Sequence, residues 1–204
     1  MVFGLFKSKK DKAIARALDV HKDNVSRRTA LDLLEDLAND GDKEALETLF
    51  KCFQLTVKHD KQEQSLTPYD DEQEKHSLID RLVGLTKLRQ TILETLRKEL
   101  RTQPSLYPGR RDGIVWLIEL LKELAVSATD DEDEAADMVL DELIRALENF
   151  DPEETYRDPG RKIEILRAIG RFPTEKSTKA IIPFLQDVDE SVRFRAVESV
   201  ALAG

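Results

Sequence analysis

Three histidines, one cysteine and two runs of carboxylates are the side chains of this 204-residue sequence whose types could do chemistry. His21, His59 and His76 are scattered among charged residues without metal-ligand spacing, and they are read as solvated surface residues. No Gly-rich phosphate loop, nucleophile elbow or Cys–His pairing accompanies them. Cys52 is alone, which excludes an intramolecular disulfide framework and a multi-cysteine metal site. It falls on the apolar stripe of ALETLFKCF and is expected to be a reduced core thiol. The acidic runs YDDEQE (69–74) and TDDEDE (129–134) lack the glycine and the distal bidentate Glu of a calcium loop. Both sit where helices begin, where exposed N–H groups and the macrodipole favour carboxylates. No carboxylate pair carries the apolar surroundings that would split two pKa values. The expectation is a non-enzyme without catalytic residues, metal or cofactor.

The elements around these residues are helical. ALDLLEDLA puts Leu31, Leu34 and Leu37 or Ala38 on one stripe, and ALETLFKCF does the same with Leu46, Leu49, Phe50 and Phe53. Between them NDGD supplies a helix stop and an acidic N-cap, so the two stripes form a hairpin. The same periodicity predicts a lead-in helix at 9–19 and helices at 72–86, 88–102, 110–127, 131–150, 160–171, 175–187 and 190–203. No alternating β pattern occurs. Charged residues reach 36% and apolar ones 40%, a balance suited to an elongated helical body with much surface. The net charge of −9 disfavours a nucleic-acid partner. Basic residues gather only in 1–28, where eight Lys or Arg face three Asp. No apolar run has the length of a membrane span, and MVFGLF is too short for a secretory signal, so the chain is expected to be soluble and cytoplasmic.

A recurrence organises the helices. Lys162, Ile165, Ile169 and Gly170 align with Arg193, Ala196, Val200 and Ala201 at a spacing of 31 residues, and Arg27, Ala30, Leu31 and Leu34 fall into the same frame. Such a period indicates stacked helical hairpins. The stretch Asp-x-Asp-x-x-Val-Arg-x-x-Ala-Val-x-x-Val, from Asp187 to Val200, resembles the HEAT repeat, in particular the short variety named after the phycobilisome lyases. The resemblance is clearest over 160–204 and 24–57, and the Val-Arg signature is missing over 70–150. It implies a right-handed α-α superhelix whose second helices line a concave, protein-binding surface. It also implies a polar ladder between repeats involving Asp187 or Asp189 and Arg193. The expected fold is all-α, a solenoid of about four and a half hairpins over 23–204, preceded by a basic segment and lead-in helix over 1–22.

Candidate partner-binding residues follow from that arrangement. Polar faces of second helices present Gln90, Glu94, Arg97 and Arg101 on one helix, and Asp137, Asp141, Arg145 and Glu148 on another. Tyr69, Tyr107 and Tyr156 lie in the long Pro-containing connections, where they either form a binding rim or pin their own loops. Trp116 falls in a wide apolar stripe and is expected in the core, while Pro183 is expected to kink or start its helix. Residues 1–10 are read as a cap over the first hairpin, or as a weak membrane-surface contact through Val2, Phe3, Leu5, Phe6 and their lysines. The final repeat has a first helix but no second. Its open side is read as a truncation or as a self-association surface. The function expected is a scaffold or adaptor for an unidentified protein, with an accessory subunit acting on a small molecule or modified protein as the alternative.

Overall fold

The computed structural model describes residues 8–55, 71–101, 112–148 and 159–204, and among these every regular element is helical. The chain divides into two compact units, Met1–Gln90 and Thr91–Gly204.

Unit one contains α1 (Lys9–Ala17), α2 (Asn24–Asn39), α3 (Lys43–Cys52) and α4 (Asp71–Gly84), followed by a 3-10 turn over Thr86–Leu88. Helix α1 starts at a capping box in which Ser8 and Asp11 satisfy each other's backbone N–H. The expected hairpin of α2 and α3 turns at Asp40–Asp42. Gly41 adopts φ 93°, Gly41 N–H donates to the Ala38 carbonyl and Asp42 N–H to that of Leu37, which closes α2 in a Schellman motif. Asp42 then caps α3 by accepting from Ala45 N–H. Leu31, Leu34, Ala38, Leu46, Leu49, Phe50 and Phe53 are buried, as the two stripes require, with Cys52 among them.

Helix α4 lies beside α2 and runs in the same sense. Near their starts Glu74 meets Arg27, and further along Arg81 meets Asp32 and Glu35. The first of these pairs is fully buried. Arg27 donates Nε and Nη2 to the two Glu74 oxygens, while its Nη1 bonds the Ala17 and Asp19 carbonyls at 2.6 and 2.8 Å. Lys75, also buried, donates Nζ to the Cys52 and Leu55 carbonyls at the end of α3. Such cations satisfy carbonyls that a helix end leaves without an internal partner.

Unit two contains the rest of α5 (Arg89–Arg101), then α6 (Asp112–Val126), α7 (Glu132–Leu147), α8 (Pro159–Ile169), α9 (Glu175–Ile181) and α10 (Glu190–Ala203). Asp131, within the second acidic run, caps α7 by accepting from Asp133 and Glu134 N–H, so that part of the run acts as a helix start. The predicted helix 175–187 is divided: α9 stops at Ile181 and a 3-10 turn over Ile182–Gln186 follows, with Pro183 inside it. Proline has no N–H to continue the α ladder, which accounts for the tighter turn. Trp116 corrects another expectation, since it is only half-buried while its neighbours Leu117, Ile118 and Leu120 take the core.

Helices α8 and α10 also run side by side in the same sense. At one end Lys162 Nζ bonds Asp187, just before α10, at 2.7 Å within the core. At the other end Gly170 lies so close to Ser199 that a Cβ there would stand 2.8 Å from the Ser199 Cα. Val192, Ala196 and Ala203 of α10 are buried, whereas Phe194, Val197 and Leu202 are exposed.

Candidate functional site

The polar helix faces converge in unit two. Leu93 and Arg97 of α5, Leu121, Leu124 and Ala125 of α6, Ala128 after it, and Met138, Asp141, Glu142 and Arg145 of α7 line one groove of about 190 Å³. Its floor is aliphatic because Leu121, Leu124 and Ala125 are neighbouring positions on one face of α6, with Leu93 of α5 beside them, while Arg97, Glu142 and Arg145 supply a charged wall. Glu142 organises its charged wall. Arg97 donates Nε and Nη2 to the two Glu142 oxygens at 2.8 and 2.7 Å, a bidentate pair, and Arg145 Nη1 donates to the same carboxylate at 2.9 Å. The Glu142 hydrogen bonds hold the Arg97 guanidinium above its already high pKa, so it is a permanent cation. Asp141, on the same wall, pairs with Lys176 of α9.

Three of the residues singled out in the sequence, Arg97, Asp141 and Arg145, thus line a common groove. Glu148 does not belong to it. Exposed at the end of α7, it lines a second cleft of about 280 Å³ with Ile144, Leu147, Lys179, Pro183 and Phe184. Gln90, Glu94 and Asp137 are exposed on their helices. Arg101 lies in α5 with its side chain outside the described residues, and Tyr69, Tyr107, Tyr156, His59 and residues 1–7 also fall outside them. His21 and His76 are exposed.

Of the groove residues that the sequence did not bring forward, Glu142 and Met138 matter most to its chemistry. Met138 carried a signal, as an exposed thioether on the same polar face as Asp141 and Arg145. Glu142 carried none, because its pairing with Arg97 joins residues 45 apart on separate helices.

Among the described residues no group of three or more His, Cys, Asp or Glu is placed to hold a metal ion, and no helix is long and apolar enough to cross a membrane. Chemically the groove offers an aliphatic slot, a softer thioether edge and fixed charges, a combination suited to gripping an apolar side chain beside a polar one. No family model matches the chain, and no curated protein matches it.

Proposed function

We propose that this chain is a non-catalytic protein-binding scaffold of stacked HEAT-like hairpins, working in the cytoplasm, and that the α5–α7 groove is one of its contact surfaces. The observation that carries the reading is the groove itself: an aliphatic floor with Met138 exposed at its edge and a wall of Arg97, Glu142 and Arg145 locked in position by their own ion pairs. Fixed cations beside an apolar slot select an apolar anchor flanked by a hydrogen-bond acceptor, and Met edges adapt to the anchor's shape. The size of these two clefts favours this reading over the small-molecule alternative. At about 190 and 280 Å³ both clefts fall below the roughly 300–1,000 Å³ usual for cofactor and drug-sized ligands. They have room for side chains of a partner.

The repeat assignment draws support from the shared senses of α2 with α4 and of α8 with α10, since first helices of successive hairpins run alike. The buried thiol of Cys52 agrees with a reducing compartment. The net charge of −9 weighs against nucleic acid as the partner. Contact of residues 1–10 with a membrane surface remains a subsidiary proposal, tested by liposome co-sedimentation with and without those residues.

A photo-crosslinking amino acid placed at Met138, with Val25 of α2 as an exposed control, tests the scaffold reading in the source cell. A discrete polypeptide adduct at 138, absent at 25 and weakened by Arg145→Glu, is the expected result. Equal labelling at both positions contradicts it.

A further inference from the structure

Charge is spread unevenly along this sequence. Residues 130–148 hold nine carboxylates and one arginine, so almost the whole net charge of −9 falls on α7 and the turn before it, and the rest of the chain is nearly neutral. Asp131, Glu132, Asp133 and Glu134 form the cap and first turn of α7, where backbone N–H groups and the macrodipole account for them. Asp137, Asp141, Glu142 and Glu148 lie beyond that turn. Glu148 even stands at the negative end of the dipole, where a carboxylate is disfavoured. Capping does not explain these four.

Along α7 the groove has two unlike ends. Towards the helix start, Asp137 and Asp141 stand either side of Met138, one residue before it and one turn after it. Asp137 is exposed and makes no ion pair among the described residues. Asp141 pairs with Lys176, but with 41% and 53% of the two side chains exposed that pair is screened by water and readily exchanged. Towards the helix end, Arg97 and Arg145 share Glu142, whose side chain is only 11% exposed. The four charged residues of the lining balance, two of each sign. The guanidiniums therefore leave no positive excess to offset the acidic field around the slot.

We infer that the α5–α7 groove takes a basic segment of a partner protein. An apolar side chain of that segment lies on the aliphatic floor beside Met138, and a Lys or Arg next to it faces Asp137 and Asp141. Its hydrogen-bond acceptor lies at the Arg145 end, about 12 Å further along α7 from Asp137 at 1.5 Å per residue. This rests on the reading of the groove as a contact surface and adds the sign of the partner's charge. A concentrated negative field speeds the encounter with a cationic segment and turns away nucleic acid and anionic lipid. Charge alone would hold such a segment loosely, and the apolar slot supplies the anchor that fixes its register.

The test selects a phage-displayed library of random dodecapeptides on the full chain at low salt, then titrates the strongest binder, fluorescein-labelled, by anisotropy. The recovered peptides should carry an excess of Lys and Arg beside a Leu, Ile, Met or Phe. Binding should fall at least about tenfold with Met138→Asp, or with Asp137→Lys and Asp141→Asn together, and should weaken as salt is raised. Glu47→Lys, which adds the same charge at an exposed position of α3, should leave it within about twofold. Circular dichroism checks that each variant is folded. Peptides without a basic excess overturn the proposal, as does the absence of any enrichment. Basic peptides that ignore the α7 changes, or that Glu47→Lys weakens equally, overturn it too. The two readings fail separately: a polypeptide adduct at Met138 alongside neutral or acidic peptides keeps the contact surface and removes its basic partner, whereas equal labelling at Met138 and Val25 removes the surface itself.

Discussion

Buried ionisable side chains make the sharpest predictions, because the interior penalises charge unless each group is met. Cys52 is the simplest. Burial pushes its thiol up to about 12, so at pH 8 the sulfur is a protonated core atom. Labelling by a soluble disulfide reagent should be negligible in the native protein and should appear over the same urea range as loss of helical circular dichroism. Stoichiometric labelling within minutes in buffer would contradict that placement. Arg27 and Glu74 form the second case. Glu74→Gln leaves a buried guanidinium without its counter-charge, a loss of about 3–5 kcal/mol in urea unfolding. The double change Arg27→Met with Glu74→Leu should cost less than the two single changes added together. It should not reach wild type, since the Ala17 and Asp19 carbonyls lose their donor. A strictly additive double-mutant cycle would show that the pair is not coupled.

Between helices the decisive feature is the close approach of α8 and α10. Gly170→Ala would drive a Cβ to within 2.8 Å of the Ser199 backbone, which cannot swing aside as a side-chain tip could. We expect a loss of about 1–3 kcal/mol. Gly84→Ala is the comparison, since a Cβ there meets nothing within 4 Å; it should be neutral or gain about 0.4–1 kcal/mol. Equal effects of the two substitutions in urea unfolding would refute the packing argument. At this scale the sequence was readable where one helix decides the outcome. The stripes of α2 and α3, the Gly41 stop and the Asp42 and Asp131 caps all depend on residues within a few positions of each other. Where two helices decide it, the sequence was silent. Arg27 stood at the head of an apolar stripe, yet its burial depends on a carboxylate 47 residues away, and that of Lys162 on one 25 residues away. Trp116 failed for the same reason, because a wide stripe does not say which part of it the neighbouring helices cover.

For the whole chain, charge sets the response to pH. A net −9 at neutral pH repels itself, so lowering the pH from 8 towards about 5 should raise stability slightly as that excess shrinks. Further acidification works the other way. The Asp42 carboxyl is held below the usual carboxylate range, first by the Lys10 ammonium and then by Ala45 N–H, and that of Asp23 by Ser26 N–H. A group whose pKa folding lowers contributes stability above its unfolded value, about 3.9 for Asp, and loses it as the pH falls through the folded value. Lys10, raised by Glu44 and Asp42, contributes the opposite dependence, lost only at strongly alkaline pH, so it does not shape the acid limb. The melting temperature at constant ionic strength should therefore pass through a maximum near pH 5–6 and fall steeply below about pH 4. Asparagine also caps helices well, so the pair Asp23→Asn and Asp42→Asn should change little by way of capping at pH 7 while flattening the acid limb. If that double variant loses stability with acid as steeply as the parent, the acid sensitivity lies in other carboxylates, and the role assigned to these two caps is wrong.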